Sequence, residues 1–422
     1  MSSSPTAVGP GELRRHLGVF DAVVIGLGSM IGAGVFAALA PAAGAAGSGL
    51  LIGLALAGVV AYCNATSSAR LAARYPQSGG TYVYGRERLG DFWGYLAGWG
   101  FVVGKTASCA AMALTVGSYV WPDQAHAVAV AAVVALTAVN YAGVQKAAWL
   151  TRAIVAVVLA VLAAVVTACL AGGEADTGHW AVGTDAGLPG ILQAAGLLFF
   201  AFAGYARIAT LGEEVRDPRR TIPRAIPLAL GIALVVYAAV ALAVLAVLGP
   251  DRLAHTAAPL ADAVRAAGAP GLAPVVRAGA AVAALGSLLA LILGVSRTTL
   301  AMARDRHLPH PLAAVHPRFG VPHRAELAVG AVVALAAAFA DVRGAIGFSS
   351  FGVLAYYAVA NAAAWTLTPA EGRPPRAVPL LGTAGCLTLA FALPAASVLW
   401  GAAVLALGAA AYLARKSLTR RA

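Results

Sequence analysis

The first strongly apolar segment of the chain, GVFDAVVIGLGSMIGAGVF, carries Gly26, Gly28, Gly32 and Gly34 within nine residues. Glycine lowers the cost of leaving α-helical geometry, and peptide groups freed inside a membrane must face a cavity rather than lipid. The ends of such half-helices can hold ions, with anions at N-termini and cations at C-termini. The alternative is close helix packing through small residues spaced four apart. A dinucleotide-binding fingerprint is excluded because Ile31 stands where its third glycine would be.

A second glycine interrupts the sixth apolar segment, which reads GLLFFAFAGYARIATLGEEVRDP. Gly204 lies inside this segment, together with the charged Arg207. Gly28 and Gly204 each belong to the first span of a block of five spans, and blocks with an odd number of spans have opposite orientations. Paired interrupted helices in an inverted repeat indicate a binding site near the middle of the membrane. The two glycines together therefore favour a transporter.

The composition predicts that these segments lie in a membrane. Of 422 residues, 60% are hydrophobic and 11% charged, whereas soluble domains average about 25% charged residues. This excludes a water-soluble multidomain enzyme. The net charge of +12 lies between apolar segments, so it does not indicate nucleic-acid binding. No CxxC pair occurs, and neither disulfides nor a metal site is expected of the four cysteines, which are Cys63, Cys109, Cys169 and Cys386.

Twelve membrane spans are predicted, because apolar runs close to the 20 residues of a membrane helix recur along the chain. The last two come from one charge-free run that Pro394 divides. Of 29 cations, 23 lie on the side of the N-terminus, four on the other side and two within spans, which places both termini in the cytoplasm. The spans cover residues 20–43, 49–69, 92–119, 126–142, 153–172, 190–211, 225–249, 276–300, 326–340, 345–367, 377–393 and 396–413.

Four motifs resemble those of the amino acid–polyamine–organocation (APC) superfamily and occur in its order. They are GLGSMIGAGVF in the first span, YPQSGGTYVYGRERLG after the second, FFAFAGY…EEVRDPRRTIPRAI around the sixth, and SRTTLAMARDRHLP with HPRFGVPHRA after the eighth. The chain is similar to bacterial members that are like the cationic amino acid transporters. The resemblance implies an all-α polytopic protein of about 12 transmembrane helices, with helices 1 and 6 broken in a five-plus-five inverted repeat.

The same resemblance divides the chain into five regions and implies that it is a transporter rather than an enzyme. It would move amino acids across the cytoplasmic membrane by alternating access, with no cofactor and no nucleic acid partner. The regions are a cytoplasmic tail at 1–17, a first repeat at 18–172, a second repeat at 187–367, a two-helix hairpin at 377–413 and a cytoplasmic tail at 414–422.

The resemblance also implies an amino acid site between the two broken helices. The aromatic gate over the substrate would be Phe200 or Phe202, with ordinary core packing as the alternative for either ring. Members that carry arginine or polyamines often have an acid shortly after Gly204, where this chain has Ala206. The substrate carboxylate would bind amides around Gly28, Ser29, Met30 and Gly32. The ammonium would bind carbonyls near Ile25 and Gly26 and those of Phe200, Ala201 and Ala203.

Two ionisable residues lie within predicted spans and are candidates for function, because burying a charge there is costly. Lys105 lies in the third span and could be functional or structurally paired. For Arg207 an ion pair or a side chain that extends to the membrane surface is the alternative. Two cations and no acid near the site disfavour a cationic substrate. They predict a neutral, small-to-medium amino acid ahead of an anionic one.

Some proton-coupled relatives place a lysine in the fifth span, and this chain has none there. The coupling ion is nevertheless expected to be a proton, carried by Lys105. The alternative is sodium bound by Ser287 with carbonyls of the first break. Glu213 and Glu214 form a charge cluster at a helix end, or an inner gate that also involves Arg304 and Asp305.

Other classes fit the sequence less well. An enzyme embedded in the membrane would need clustered acids or histidines at membrane depth, and a channel would need a filter loop. A non-transporting membrane sensor, an amino acid/polyamine exchanger and a sodium-coupled symporter stay open as alternatives.

Overall fold

The computed structural model describes residues 17–76, 79–143, 148–181, 187–209 and 215–419, and these are almost entirely helical. An isolated parallel bridge joins Leu17 to Val215, where the amide of Arg216 donates to the Leu17 carbonyl at 2.8 Å. The α-helices are α1 Val19–Met30, α2 Ala33–Ala37, α3 Leu39–Ala46, α4 Leu50–Arg74, α5 Thr81–Leu89, α6 Asp91–Val120, α7 Ala125–Tyr141, α8 Ala148–Ala171, α9 Gly187–Phe202, α10 Ala206–Ala209, α11 Pro218–His255, α12 Pro259–Ala266, α13 Ala273–Arg304, α14 His323–Phe339, α15 Val342–Trp365, α16 Ala377–Ala392 and α17 Ala395–Thr419.

Within the described residues, ten helical stretches are long and apolar enough to cross a membrane. They correspond to ten of the predicted spans. The other two spans, the ninth and the eleventh, correspond to the shorter helices α14 and α16, of 17 and 16 residues. The prediction of an all-α, multi-pass membrane protein is therefore confirmed. The division into repeats at 18–172 and 187–367 stays a prediction.

The last two spans form the predicted hairpin. Helix α16 ends at Ala392 and α17 begins at Ala395, with Leu393 in an extended conformation (φ −60°, ψ 164°) before Pro394. A proline ring disfavours the helical region for the residue before it, so the chain must turn here.

The first span is interrupted within its glycine-rich stretch, but after Gly28, which itself lies in α1. Helix α1 ends at Met30 and α2 begins at Ala33, while Ile31 (φ −81°, ψ 53°) and Gly32 (φ −105°, ψ −134°) leave helical geometry. A Cβ on Gly32 would lie 2.2 Å from Oγ of Ser287. Only glycine fits there, so α13 can approach the break closely.

The sixth span changes its winding at Gly204. Helix α9 ends at Phe202, a 3₁₀ turn covers Ala203–Tyr205, and α10 follows. The interruption is where it is predicted, but the chain tightens into a 3₁₀ turn instead of unwinding. The two breaks therefore differ in geometry.

Candidate functional site

The two interrupted segments meet backbone to backbone. A Cβ on Gly204 would lie 2.3 Å from the carbonyl oxygen of Ser29 and 2.6 Å from the amide nitrogen of Met30. One turn further, a Cβ on Gly34 would lie 2.6 Å from Cα of Ala201. Glycine at both positions removes the side chain that would hold the segments apart. The interruption of the sixth span is therefore in direct contact with the residues before the interruption of the first span.

Tyr237 of α11 joins the two segments through its hydroxyl, and it is buried. Its single hydroxyl hydrogen is shared between two carbonyl oxygens, that of Met30 at 2.6 Å and that of Ala201 at 2.9 Å. Both carbonyls lie close to the interruptions, where regular helical bonding is lost, and buried carbonyls need a donor. Sequence reasoning missed this residue. Its signal was a tyrosine in an apolar span, whose hydroxyl must find a partner when buried.

Replacing Tyr237 with phenylalanine should lower the free energy of unfolding by about 1–3 kcal/mol, because two buried carbonyls lose their shared donor. It should weaken substrate binding as well, since the two segments are no longer tied at this point. Denaturant unfolding in detergent measures the first effect and radioligand binding the second. Tyr62→Phe is the matched control, because Tyr62 is exposed on α4. Equal unfolding curves for the two variants would contradict the assigned role of Tyr237.

A cavity of about 160 Å³ lies beside the meeting point of the two segments. Its walls come from the first break, the 3₁₀ turn and helices α6 and α13. Eight residues selected from the sequence line it: Ser29, Lys105, Phe200, Ala203, Gly204, Ala206, Arg207 and Ser287.

The other selected residues lie outside the cavity wall. Phe202 packs on Tyr237 with ring centroids 5.1 Å apart, so of the two candidate gates only Phe200 faces the cavity. The remaining six contribute to the breaks and their packing rather than to the wall: Ile25, Gly26, Gly28, Met30, Gly32 and Ala201. Glu213 and Glu214 lie outside the described residues.

Lys105 connects α6 to the second break. Its side chain is 6% exposed, and Nζ donates to the carbonyl oxygen of Ala203 at 3.2 Å. A buried lysine is costly unless such a bond offsets part of the desolvation. The Ala203 carbonyl that the sequence assigned to the substrate ammonium is therefore already an acceptor for Lys105.

Ser287 lies against the first break, as the sodium alternative requires. Its Oγ donates to the carbonyl of Gly28 at 2.9 Å. The two oxygens that would bind a sodium ion, Oγ of Ser287 and the Gly28 carbonyl oxygen, are therefore hydrogen-bonded to each other.

Several residues of the cavity wall were missed from the sequence. The hydroxyls of Ser108 and Thr298 add to those of Ser29 and Ser287, and Arg297 adds a guanidinium. Arg297 lies near the end of the predicted eighth span. No acidic side chain lines the cavity among the described residues. Other apolar or small wall residues that were missed include Phe101, Met112, Leu291 and Gly294.

A polar network joins α5 to the loop that follows α13. Asp305 pairs with Arg86 at 2.9 Å and accepts a hydrogen bond from the Tyr82 hydroxyl, which lies 2.8 Å from Nδ1 of His307. Burial lowers the pKa of His307, so this ring is neutral at physiological pH. Asp305 is therefore bonded to α5, which the sequence analysis did not include in its inner gate.

A similar network ties the loop after α15 to α4 and α5. Glu371 pairs with Arg88 and with Arg74, at 2.5 Å and 3.3 Å. Hydrogen bonding from Arg88 lowers the pKa of Glu371 to about 2, so the carboxylate stays charged at physiological pH.

Comparison with known proteins agrees with this architecture. The family model for amino acid permeases matches residues 21–371. An uncharacterized transporter of Mycobacterium tuberculosis is 78% identical over 413 residues, covering 98% of this chain and 94% of its own. A methylthioribose transporter of Bacillus subtilis is 28% identical, with 95% and 93% covered. The human cationic amino acid transporter 4 is 29% identical, with 82% of this chain and 58% of its own covered. The chain belongs to the amino acid permease family of the APC superfamily, and it is a multi-pass membrane transporter.

Proposed function

We propose that this transporter moves neutral, small-to-medium amino acids across the cell membrane by alternating access, coupled to protons. Both termini lie in the cytoplasm in this proposal, as the distribution of cations indicates. The observation that carries it is the cavity beside the two interrupted helices, whose described wall includes lysine and arginine but no acid. A cationic side chain would meet only like charge there.

The size of the cavity supports a small substrate, whereas the names of the relatives point to different substrate classes. The cavity of about 160 Å³ is small, since pockets for drug-sized ligands begin at about 300 Å³. The relatives differ in substrate, because one is named for methylthioribose and another for cationic amino acids. The residues of the cavity wall are therefore the better guide to the substrate class.

A zwitterion suits the polar groups at the two breaks. In the proposal its carboxylate binds amides at the first break, where α2 begins after Gly32, since a half-helix N-terminus favours an anion. Its ammonium binds carbonyls of both segments. A carbonyl oxygen has two lone pairs, so the Ala203 carbonyl, which lines the cavity, can still accept from the substrate beside Lys105.

Lys105 is the proposed proton carrier because it lines the cavity and is hydrogen-bonded to the second break. When protonated, it donates to Ala203 and neutralises part of the partial negative charge of the 3₁₀ turn. When it loses its proton, this bond weakens and the second break is released from α6. A buried lysine changes protonation more readily than an exposed one.

Counterflow in proteoliposomes tests the proposed substrate class. Labelled alanine should exchange, and unlabelled neutral amino acids should compete while arginine does not. The measurement is the initial rate of label uptake, with empty liposomes as the control. Methylthioribose belongs in the competitor set because a relative is named for it. Displacement by arginine alone would contradict the proposal, and chemical conversion of the label would indicate an enzyme.

A further inference from the structure

Glu326 is a buried carboxylate that the proposed cycle does not yet use. It lies in the first turn of α14 and is 0% exposed. Neither carboxylate oxygen has a hydrogen-bond partner among the described residues. An ionised group that loses water in this way costs several kcal/mol unless a cation or hydrogen bonds replace it. The charge state of Glu326 therefore depends on whether a positively charged side chain lies beside it.

Arg297 connects this carboxylate to the substrate cavity. Its positive charge lies on helix α13, which packs against α14, and it interacts with the Glu326 carboxylate. The same side chain lines the cavity. The N-terminal end of α14 also favours the anion, because helix dipoles attract negative charge there. A carboxylate buried without hydrogen bonds depends on such nearby positive charge, so a change in the position of Arg297 would act directly on Glu326.

Histidines continue from Glu326 towards the surface. His323 lies three residues before Glu326 and therefore on the same face of α14, and its Nδ1 is buried without a hydrogen-bond partner. The His323 ring centroid is 5.4 Å from that of His316 in the preceding loop. His316 is only half-buried. Titratable groups thus lead from Glu326 to the loop that is predicted to face the cytoplasm.

The other elements packed against α14 bring few titratable groups to this position. Helix α7 contributes Tyr141, whose ring centroid is 6.2 Å from that of His323. Helix α6 carries Lys105, which is directed towards Ala203 instead. Arg297 is therefore the described charge that acts on Glu326.

We propose that Glu326 binds the transported proton between the cavity and the cytoplasm, and that Arg297 controls when it does so. This rests on the proton coupling proposed above. When the anionic group of a substrate draws Arg297 away from Glu326, the carboxylate takes up the proton that the Lys105 ammonium releases through water, so one N–H bond breaks and one O–H bond forms. When the substrate leaves, Arg297 returns and the proton passes to an imidazole nitrogen of His323 and then to water.

Glu326→Gln in proteoliposomes tests the proposal, because the amide keeps the shape of the side chain but cannot exchange a proton. An inward gradient of about one pH unit supports about tenfold accumulation at one proton per substrate, and the variant should accumulate none. Counterflow exchange should continue within about twofold of the native rate, since alternating access itself is kept. Asp123→Asn, an acid-to-amide change at an exposed residue, is the matched control.

Infrared difference spectra provide a second readout that a purely structural role would not change. Addition of alanine to the native protein should produce a band of a protonated carboxyl group, and the band should be absent in Glu326→Gln. Glu326→Asp should restore both the band and part of the accumulation. This variant also serves if the glutamine variant does not fold.

The outcomes separate the two proposals. If the native protein accumulates alanine and Glu326→Gln does so equally, Glu326 does not bind the transported proton although the proposed function stands. If the native protein exchanges alanine but never accumulates it, proton coupling and the role of Glu326 are both wrong. An unchanged infrared band in Glu326→Gln would overturn the assignment to this residue.

Discussion

Lys105→Met should abolish accumulation driven by a pH gradient while counterflow exchange continues. Methionine retains an unbranched apolar chain of similar length but cannot bind a proton or donate to Ala203. With a gradient of about one pH unit, coupling to one proton gives the native protein about tenfold accumulation, and an uncoupled variant gives none. Uptake of labelled alanine with the interior alkaline measures this ratio.

Two further variants make the result specific for the proton on Lys105. Lys105→Arg keeps the positive charge but does not release its proton at physiological pH, so it should also fail to accumulate substrate. Lys416→Met removes an exposed lysine near the C-terminus and should behave as the native protein. Undiminished pH-driven uptake in Lys105→Met would remove this residue from the coupling mechanism.

Gly204→Ala should reduce substrate affinity and exchange by about tenfold to a hundredfold. The added Cβ would lie 2.3 Å from the Ser29 carbonyl oxygen, so the two segments must separate. Overpacking costs about 1–3 kcal/mol, and each 1.4 kcal/mol that is lost at the site is a factor of about ten in affinity. Binding of labelled alanine and its rate of exchange both measure the effect.

Gly231→Ala is the matched control for this change. A Cβ on Gly231 would meet no atom within 4 Å, and the residue lies within helix α11. Alanine favours helices over glycine by about 1 kcal/mol, so this variant should be as stable as the native protein or more so. If both glycine variants transport equally well, the close contact at Gly204 is not needed for transport.

Local sequence was sufficient to predict the spans and both interruptions. The runs of apolar residues gave the helices, because a membrane helix must satisfy its own backbone. The sequence indicates interruptions at Gly28 and Gly204, because glycine in an apolar run has a local cost that other contacts must compensate. The first interruption lies at Ile31 and Gly32 instead. The Pro394 hairpin was predictable for the same reason, since the effect of proline is confined to its neighbours.

The wall of the cavity could not be predicted to the same degree, because it depends on how each helix is rotated. Phe200 and Phe202 are two residues apart, so they face different sides of one helix, and packing alone determines that Phe200 faces the cavity. Tyr237 reaches carbonyls that are distant in sequence. Glu326 lies at the edge of a predicted span, and its complete burial follows from the helices around it.

The contact between Gly204 and Ser29, with Gly34 against Ala201, has a mechanical consequence. No side chain separates the two backbone segments where they cross, and the hydroxyl of Tyr237 is hydrogen-bonded to both. They cannot slide past each other without disrupting this joint, so a tilt of one carries the other with it. We therefore expect the two segments to move together when the protein opens to either side of the membrane. A small molecule bound at their contact should inhibit opening to both sides.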